Sequence, residues 1–85
     1  MVNIIAILAT IAGIIMSLGY YPQAIKIIKK KSAKDVSPTT YLMFLPGIVI
    51  WLIYGISLND LPLIIANSVA LIGCLFVLVS YFSYH

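Results

Sequence analysis

Three long apolar segments, separated by two short polar stretches, make up most of this sequence. Of its 85 residues 64% are hydrophobic and only 8% are charged, whereas soluble domains average about 45 to 50% apolar and about 25% charged residues. A helix of about 20 residues crosses a hydrocarbon core about 30 Å thick. The sequence therefore predicts an all-α membrane protein: a single domain, residues 1–85, with spans at about residues 2–28, 39–57 and 61–84.

The basic residues all lie in or beside the first connection, and they predict the orientation. They are Lys26, Lys29, Lys30, Lys31 and Lys34. Because positively charged loops stay in the cytoplasm, we expect this connection and the C-terminus inside and the N-terminus outside. The net charge of +3 is therefore interpreted as a topology signal and not as a nucleic-acid surface. Specific binding of anionic lipid is a minor alternative for the lysines.

Prolines and small residues predict where the spans bend and where they pack. Pro22 lacks a backbone donor and crowds the preceding turn, so we expect a kink near the inner end of span one. Pro46, followed by glycine, is a second weak point, in span two. Small residues that recur at four-residue intervals predict close helix packing. They are Ala9, Gly13 and Ser17 in span one, and Ala66, Ala70 and Cys74 in span three.

The sequence contains no arrangement typical of catalysis or metal binding. It has no carboxylate pair, no Ser/His/Asp or Cys/His set and no glycine-rich phosphate loop, and its only histidine is His85, the last residue. We therefore predict that the chain is not an enzyme, has no catalytic residue or metal site, and needs no cofactor. No charged residue lies in the middle of a span, so facilitated diffusion is favoured over proton coupling.

Two polar side chains lie deep in the predicted spans, Trp51 and Asn67. Each lies about 9 Å below the outer end of its helix, so the two can share one layer of the membrane. An indole face packs against a sugar ring, and an amide exchanges hydrogen bonds with hydroxyl groups. The alternative is structural, since Asn also joins membrane helices and Trp also marks the interface. The residues alone leave both interpretations open.

An ordered set of motifs extends over nearly the whole chain: Pro22-Gln23 ending span one, Trp51-x-x-Tyr54-Gly55 ending span two, then Asp60, then Asn67. This set resembles the SemiSWEET family, the bacterial half-size relatives of the SWEET sugar transporters in the PQ-loop group. The resemblance implies a three-helix bundle packed in the order 1-3-2. It also implies a parallel homodimer of six helices, as parallel repeats form in SWEETs. Physically, six helices can enclose a sugar-sized route, whereas three hardly can.

The resemblance further implies transport of mono- or disaccharides by alternating access across the bacterial cytoplasmic (inner) membrane. It assigns Trp51 and Asn67 to the sugar, Pro22 and Gln23 to a hinge, Tyr54 and Asp60 to an outer gate, and Phe44 to an inner gate. Asp60 also suits the N-cap of span three, where the helix dipole favours a carboxylate. Since no basic residue lies between Tyr54 and Asp60, we expect no ionic latch within the chain.

Two alternatives remain open at this level. A PQ-loop transporter of an amino acid or another small metabolite would keep the fold, although such substrates usually need a charged site. A small structural or accessory membrane protein would use Asn67 and the small residues only to assemble helices. A proton-coupled exporter is set aside, because it needs a membrane-embedded carboxylate.

Overall fold

The computed structural model describes residues 4–85, which form four helices joined by short connections. They are α1 (Ile4–Ser17), α2 (Tyr20–Lys30), α3 (Pro38–Ser57) and α4 (Leu61–Tyr84). The helices α1 and α2 together make a membrane-spanning segment of 27 residues, Ile4–Lys30, and α3 and α4 make spans of 20 and 24 residues. The predicted start of span one at Val2 lies outside the described residues. An all-α architecture with three spanning helices is confirmed.

The first span is interrupted at Leu18–Gly19, one turn before Pro22. In a regular helix the N–H of residue 22 would bond to the carbonyl of Leu18, but proline has no N–H and its ring crowds that carbonyl. Shorter-range bonds bridge the gap: Gly19 N–H donates to Met16 at 3.4 Å, and Tyr21 N–H donates to Leu18 at 3.2 Å. Pro22 itself lies in the first turn of α2, where a missing donor costs little.

The second span behaves differently, because α3 continues through Pro46 without interruption. The turn before Pro22 contains Gly19, whose helix propensity is about 1 kcal/mol worse than that of alanine. The turn before Pro46, residues 42–45, contains only apolar residues of better propensity. We attribute the different outcomes of the two prolines to this difference.

The central helix of the bundle is α4, which packs against α1, α2 and α3. Glycines permit the close approach: a Cβ added at Gly13 would lie 2.8 Å from Ala66 Cβ, and one added at Gly55 would lie 2.8 Å from Leu63 Cβ. Span three therefore lies between spans one and two, and the predicted order 1-3-2 is confirmed. Of the small residues predicted to pack, Ser17 is buried, whereas Ala9 is exposed.

A compact apolar core closes the end of the bundle where α2 stops. Ala24 and Ile27 of α2, Ala33 of the connection and Val77 of α4 are buried together. Lys31 ends α2 in the left-handed conformation (φ 51°), and its N–H donates to the carbonyls at the end of the helix. This packing holds the lysine-rich connection against the end of the helix.

Candidate functional site

A groove of about 710 Å³ lies between the first and second spans, with α4 as its floor. It exists because α4 separates these two spans, so that α1 and α2 form one wall and α3 the other. The floor contributes Ala66, Asn67 and Ala70. The groove is not enclosed, since the lining residues Met43, Phe44 and Trp51 are exposed. The small floor residues keep the groove deep.

The α3 wall presents one helical stripe to the groove. Thr40, Phe44, Gly47 and Trp51 recur at intervals of three or four residues and all line it. At about 1.5 Å per residue the stripe is about 16 Å long. A Cβ added at Gly47 would meet no atom within 4 Å. Gly47 therefore lies where the groove is open, and its missing side chain adds to the width.

Trp51 presents its ring to this groove. Its side chain is 54% exposed. The ring of Tyr54, one turn further along α3, meets it edge to face, with ring centroids 5.7 Å apart at 80°. Tyr54 itself does not line the groove. The tyrosine thus packs beside Trp51 and leaves much of the indole accessible.

Asn67 lies on the same groove, and its amide remains available for further hydrogen bonds. Its Nδ2 donates to the carbonyl of Leu63 at 2.9 Å, one turn earlier in α4. Its Oδ1 accepts no hydrogen bond from residues 4–85. The bond that it does form stays within its own helix, so Asn67 does not join two helices of this chain.

Aromatic residues narrow the other end of the groove. Tyr20 of α2 and Tyr41 of α3 meet across it with ring centroids 5.9 Å apart. Phe44 meets Tyr41 edge to face at 6.4 Å. The sequence argument singled out Phe44 but not the two tyrosines. The signal was present, since Tyr20 lies two residues before Pro22 and both tyrosines are polar groups within apolar spans.

The remaining predicted site residues lie away from the groove. Asp60 is the N-cap of α4, and its Oδ1 accepts from the N–H of Leu63 at 3.4 Å, as the capping interpretation expected. Pro22 is exposed near the break in span one, and Gln23 lines a separate, smaller cavity at the end of α2. Among residues 4–85, no group of three or more histidine, cysteine or acidic side chains is placed to bind a metal.

Comparison with known proteins gives consistent matches. The PQ loop repeat family model matches residues 4–64. The chain is 38% identical over 61 residues to the sugar transporter SemiSWEET of Leptospira biflexa, and this matched segment covers 72% of each chain. It is 36% identical over 69 residues to the sugar transporter SemiSWEET of Bradyrhizobium diazoefficiens, covering 81% of this chain and 80% of that protein. The chain belongs to the SemiSWEET family.

A solved structure extends the likeness to almost the whole SemiSWEET fold. The crystal structure of a bacterial homologue of SWEET transporters superposes with a TM-score of 0.88 at 34% identity, covering 98% of this chain and 100% of that one. The resemblance predicted from the motifs is therefore confirmed. SemiSWEET proteins are transporters and not enzymes, so the prediction of no enzymatic activity is confirmed by the family. With its three spanning helices, this family member is a membrane protein.

Proposed function

We propose that this chain is one half of a sugar transporter, a single domain of residues 1–85 that acts as a parallel homodimer. The dimer moves mono- or disaccharides across the membrane by alternating access, as a uniporter. One observation carries the proposal: the accessible Trp51 ring and the Asn67 amide, which has hydrogen-bonding groups to spare, lie on the same groove. The names of the SemiSWEET relatives, which are sugar transporters, support the same substrate class.

The two side chains offer the complementary surfaces that a sugar needs. The C–H faces of a sugar ring pack on an indole. This contact buries apolar surface and does not require one fixed orientation of the sugar. The hydroxyl groups exchange hydrogen bonds with the Asn67 amide, which has two N–H donors and a two-lone-pair acceptor. Selectivity arises from the few polar contacts and from groove width, so the site accepts a range of sugars.

The exposure of the groove supports the proposed dimer. A single chain leaves Trp51 54% exposed, and in a bilayer a sugar on this groove would contact lipid on one side. A second copy facing the groove would replace lipid with a second Trp51 and a second Asn67. Both copies then contribute to one enclosed route, in line with parallel repeats about the membrane normal.

The backbone break provides a place for the movement that alternating access requires. At Leu18–Gly19 the regular ladder of hydrogen bonds is interrupted, so α2 can tilt relative to α1 at lower cost than within a continuous helix. Pro22 maintains the break, and Gln23 follows it on α2. In this mechanism Tyr54 and Asp60 close the outer end, and Phe44 closes the inner end.

Uniport and orientation complete the proposal. Among residues 4–85, no aspartate, glutamate, lysine, arginine or histidine lines the groove, so none of them binds and releases a proton along the route near neutral pH. The lysine-rich connection supports an orientation with the end of α2 in the cytoplasm, the N-terminus outside and the C-terminus inside. The membrane is the bacterial cytoplasmic (inner) membrane.

The test is uptake of radiolabelled glucose and sucrose into liposomes that contain the purified chain, with and without a pH gradient. We expect saturable uptake that does not depend on the pH gradient. Uptake should fall to background in the variants Trp51→Ala and Asn67→Ala. Ile53→Ala is the matched control, because Ile53 is exposed on α3 but does not line the groove. Normal uptake by both groove variants would overturn the assignment of Trp51 and Asn67 to the sugar site. No uptake of either sugar by the native chain would favour another small metabolite or an accessory role.

A further inference from the structure

A second cavity, of about 70 Å³, lies between the end of α2 and the connection that follows it. Lysines surround it: Lys26 and Lys30 from α2 and Lys34 from the connection. Asp35 is the only acidic residue in its lining. Three positive charges against one negative charge leave the cavity with a net charge of +2. The remaining two lysines of the cluster, Lys29 and Lys31, do not line it.

The three lysines of this cavity form no ion pair within the described part of the chain, although Asp35 shares the lining. No ion pair joins any of them to Asp35 or to Asp60. Lys26 and Lys30 are one helical turn apart, and like charges at this spacing repel each other. An anion held between them would remove that repulsion and bring further Coulombic attraction from Lys34.

Neutral donors complete the polar lining. The Oγ of Ser32 accepts a hydrogen bond from the backbone N–H of Lys34 at 3.3 Å, so its own hydrogen remains free to be donated. The side-chain amide of Gln23 adds two N–H donors. Lysine ammonium groups, a hydroxyl and an amide together make the donor set that suits a phosphate group.

The other part of the lining is apolar. Ile27, which is 2% exposed, and the half-buried Val36 lie on the same cavity. The cavity lies at the end of the 27-residue segment Ile4–Lys30, and the ends of a segment long enough to cross the hydrocarbon core reach the lipid head groups. Its volume equals about two water molecules in the liquid, enough for a phosphate but not for a whole sugar head group.

We propose that this cavity binds the phosphate of an anionic phospholipid, with Lys26, Lys30 and Lys34 as ligands. The position of the cavity at the end of the membrane-spanning segment Ile4–Lys30 favours a lipid over free phosphate. Each lysine near an anionic membrane surface strengthens binding about fivefold. The proposal does not depend on the transported substrate.

The experiment compares two variants that remove the same number of charges. The full chain is purified in detergent, and retention of phosphatidylglycerol and of phosphatidylcholine is measured by native mass spectrometry. We expect the native chain to retain phosphatidylglycerol in preference. Lys26→Gln combined with Lys30→Gln should weaken that retention about tenfold or more, whereas Lys29→Gln combined with Lys31→Gln should change it less than about threefold. Circular dichroism checks that both variants keep their helices.

Three results would overturn the proposal. Equal losses in the two double variants would mean that diffuse charge attracts the lipid and the cavity does not. Equal retention of phosphatidylcholine would mean that the lysines make no specific contact. Displacement of the lipid by an equal concentration of inorganic phosphate would identify a soluble anion as the ligand.

Discussion

The hydroxyl of Tyr21 donates a 2.9 Å hydrogen bond to the backbone carbonyl of Val69. The bond crosses from α2 to α4 and lies next to the break at Leu18–Gly19. The bond therefore links α2, the part of span one that follows the break, to the central helix α4. Together with the buried Ala24 and Ile27, it ties α2 to α4 although α2 is not continuous with α1.

Replacing Tyr21 with phenylalanine should destabilise the attachment of α2. The ring remains and the hydrogen bond is lost, at a cost of about 1 kcal/mol. We expect a lower melting temperature in detergent and faster hydrogen exchange in α2 than in α4. Tyr81→Phe is the matched control, because the Tyr81 hydroxyl forms no hydrogen bond within residues 4–85. Equal melting temperatures for the two variants would show that the bond contributes nothing.

Replacing Gly73 with alanine should disrupt the contact between α4 and α2. The new Cβ would lie 2.7 Å from Tyr20 Cβ and 3.0 Å from Tyr21 Cε2, so the helices must move apart. Overpacking of this kind costs about 1 to 3 kcal/mol. Thermal unfolding in detergent measures the loss.

Gly47→Ala is the control for that variant. Its Cβ would enter open space, and alanine improves helix propensity by about 1 kcal/mol. Gly47→Ala should therefore unfold at an unchanged or higher temperature. A Gly73 variant as stable as the Gly47 variant would contradict the close packing of α2 on α4.

Replacing Pro22 with alanine should join α1 and α2. Alanine restores the N–H that can bond to Leu18, so hydrogen exchange at residues 18–22 should slow. If the break serves as the hinge, sugar uptake should slow as well, without loss of sugar binding. Pro46→Ala is the control, since α3 is already continuous, and it should change exchange in its helix much less. Unchanged exchange after Pro22→Ala would place the cause of the break in Gly19.

Two substitutions of Asp60 should separate its cap from its proposed gate role. Asp60→Ala removes the bond to Leu63, which is long at 3.4 Å, and should cost about 0.5 to 1 kcal/mol in thermal unfolding. Asp60→Asn keeps a good N-cap and removes only the charge. Reduced uptake in the stable Asn variant would support a charged gate. Normal uptake in that variant would leave Asp60 as a cap alone.

The different effects of Pro22 and Pro46 on their helices show what the sequence can predict and what it cannot. Pro22 removes a donor whatever surrounds it, so a local weakness near it was predictable. Its position, one turn earlier at Leu18–Gly19, depends on the neighbouring glycine. Pro46 was predicted as a second weak point, yet α3 remains continuous because the residues before it favour a helix.

The candidate site was predictable in part for a similar reason. Trp51 and Asn67 stand out because polar groups are rare in apolar spans. Tyr20 and Tyr41 did not stand out, since a tyrosine within a span is also compatible with packing. Only the packing of α2 and α3 against α4 brings their rings to 5.9 Å.

The sequence by itself determined the number of spans, their membrane setting and the motifs of the family, because hydrophobicity and helix-ending residues act locally. The motif resemblance also implied the central position of span three, but only the tertiary structure decided that α4 leaves a groove between the other spans. It also decided that Lys26, Lys30 and Lys34, but not Lys29 and Lys31, share one cavity. These relations join residues far apart in the chain or on different helix faces, and they depend on how side chains pack when the helices meet.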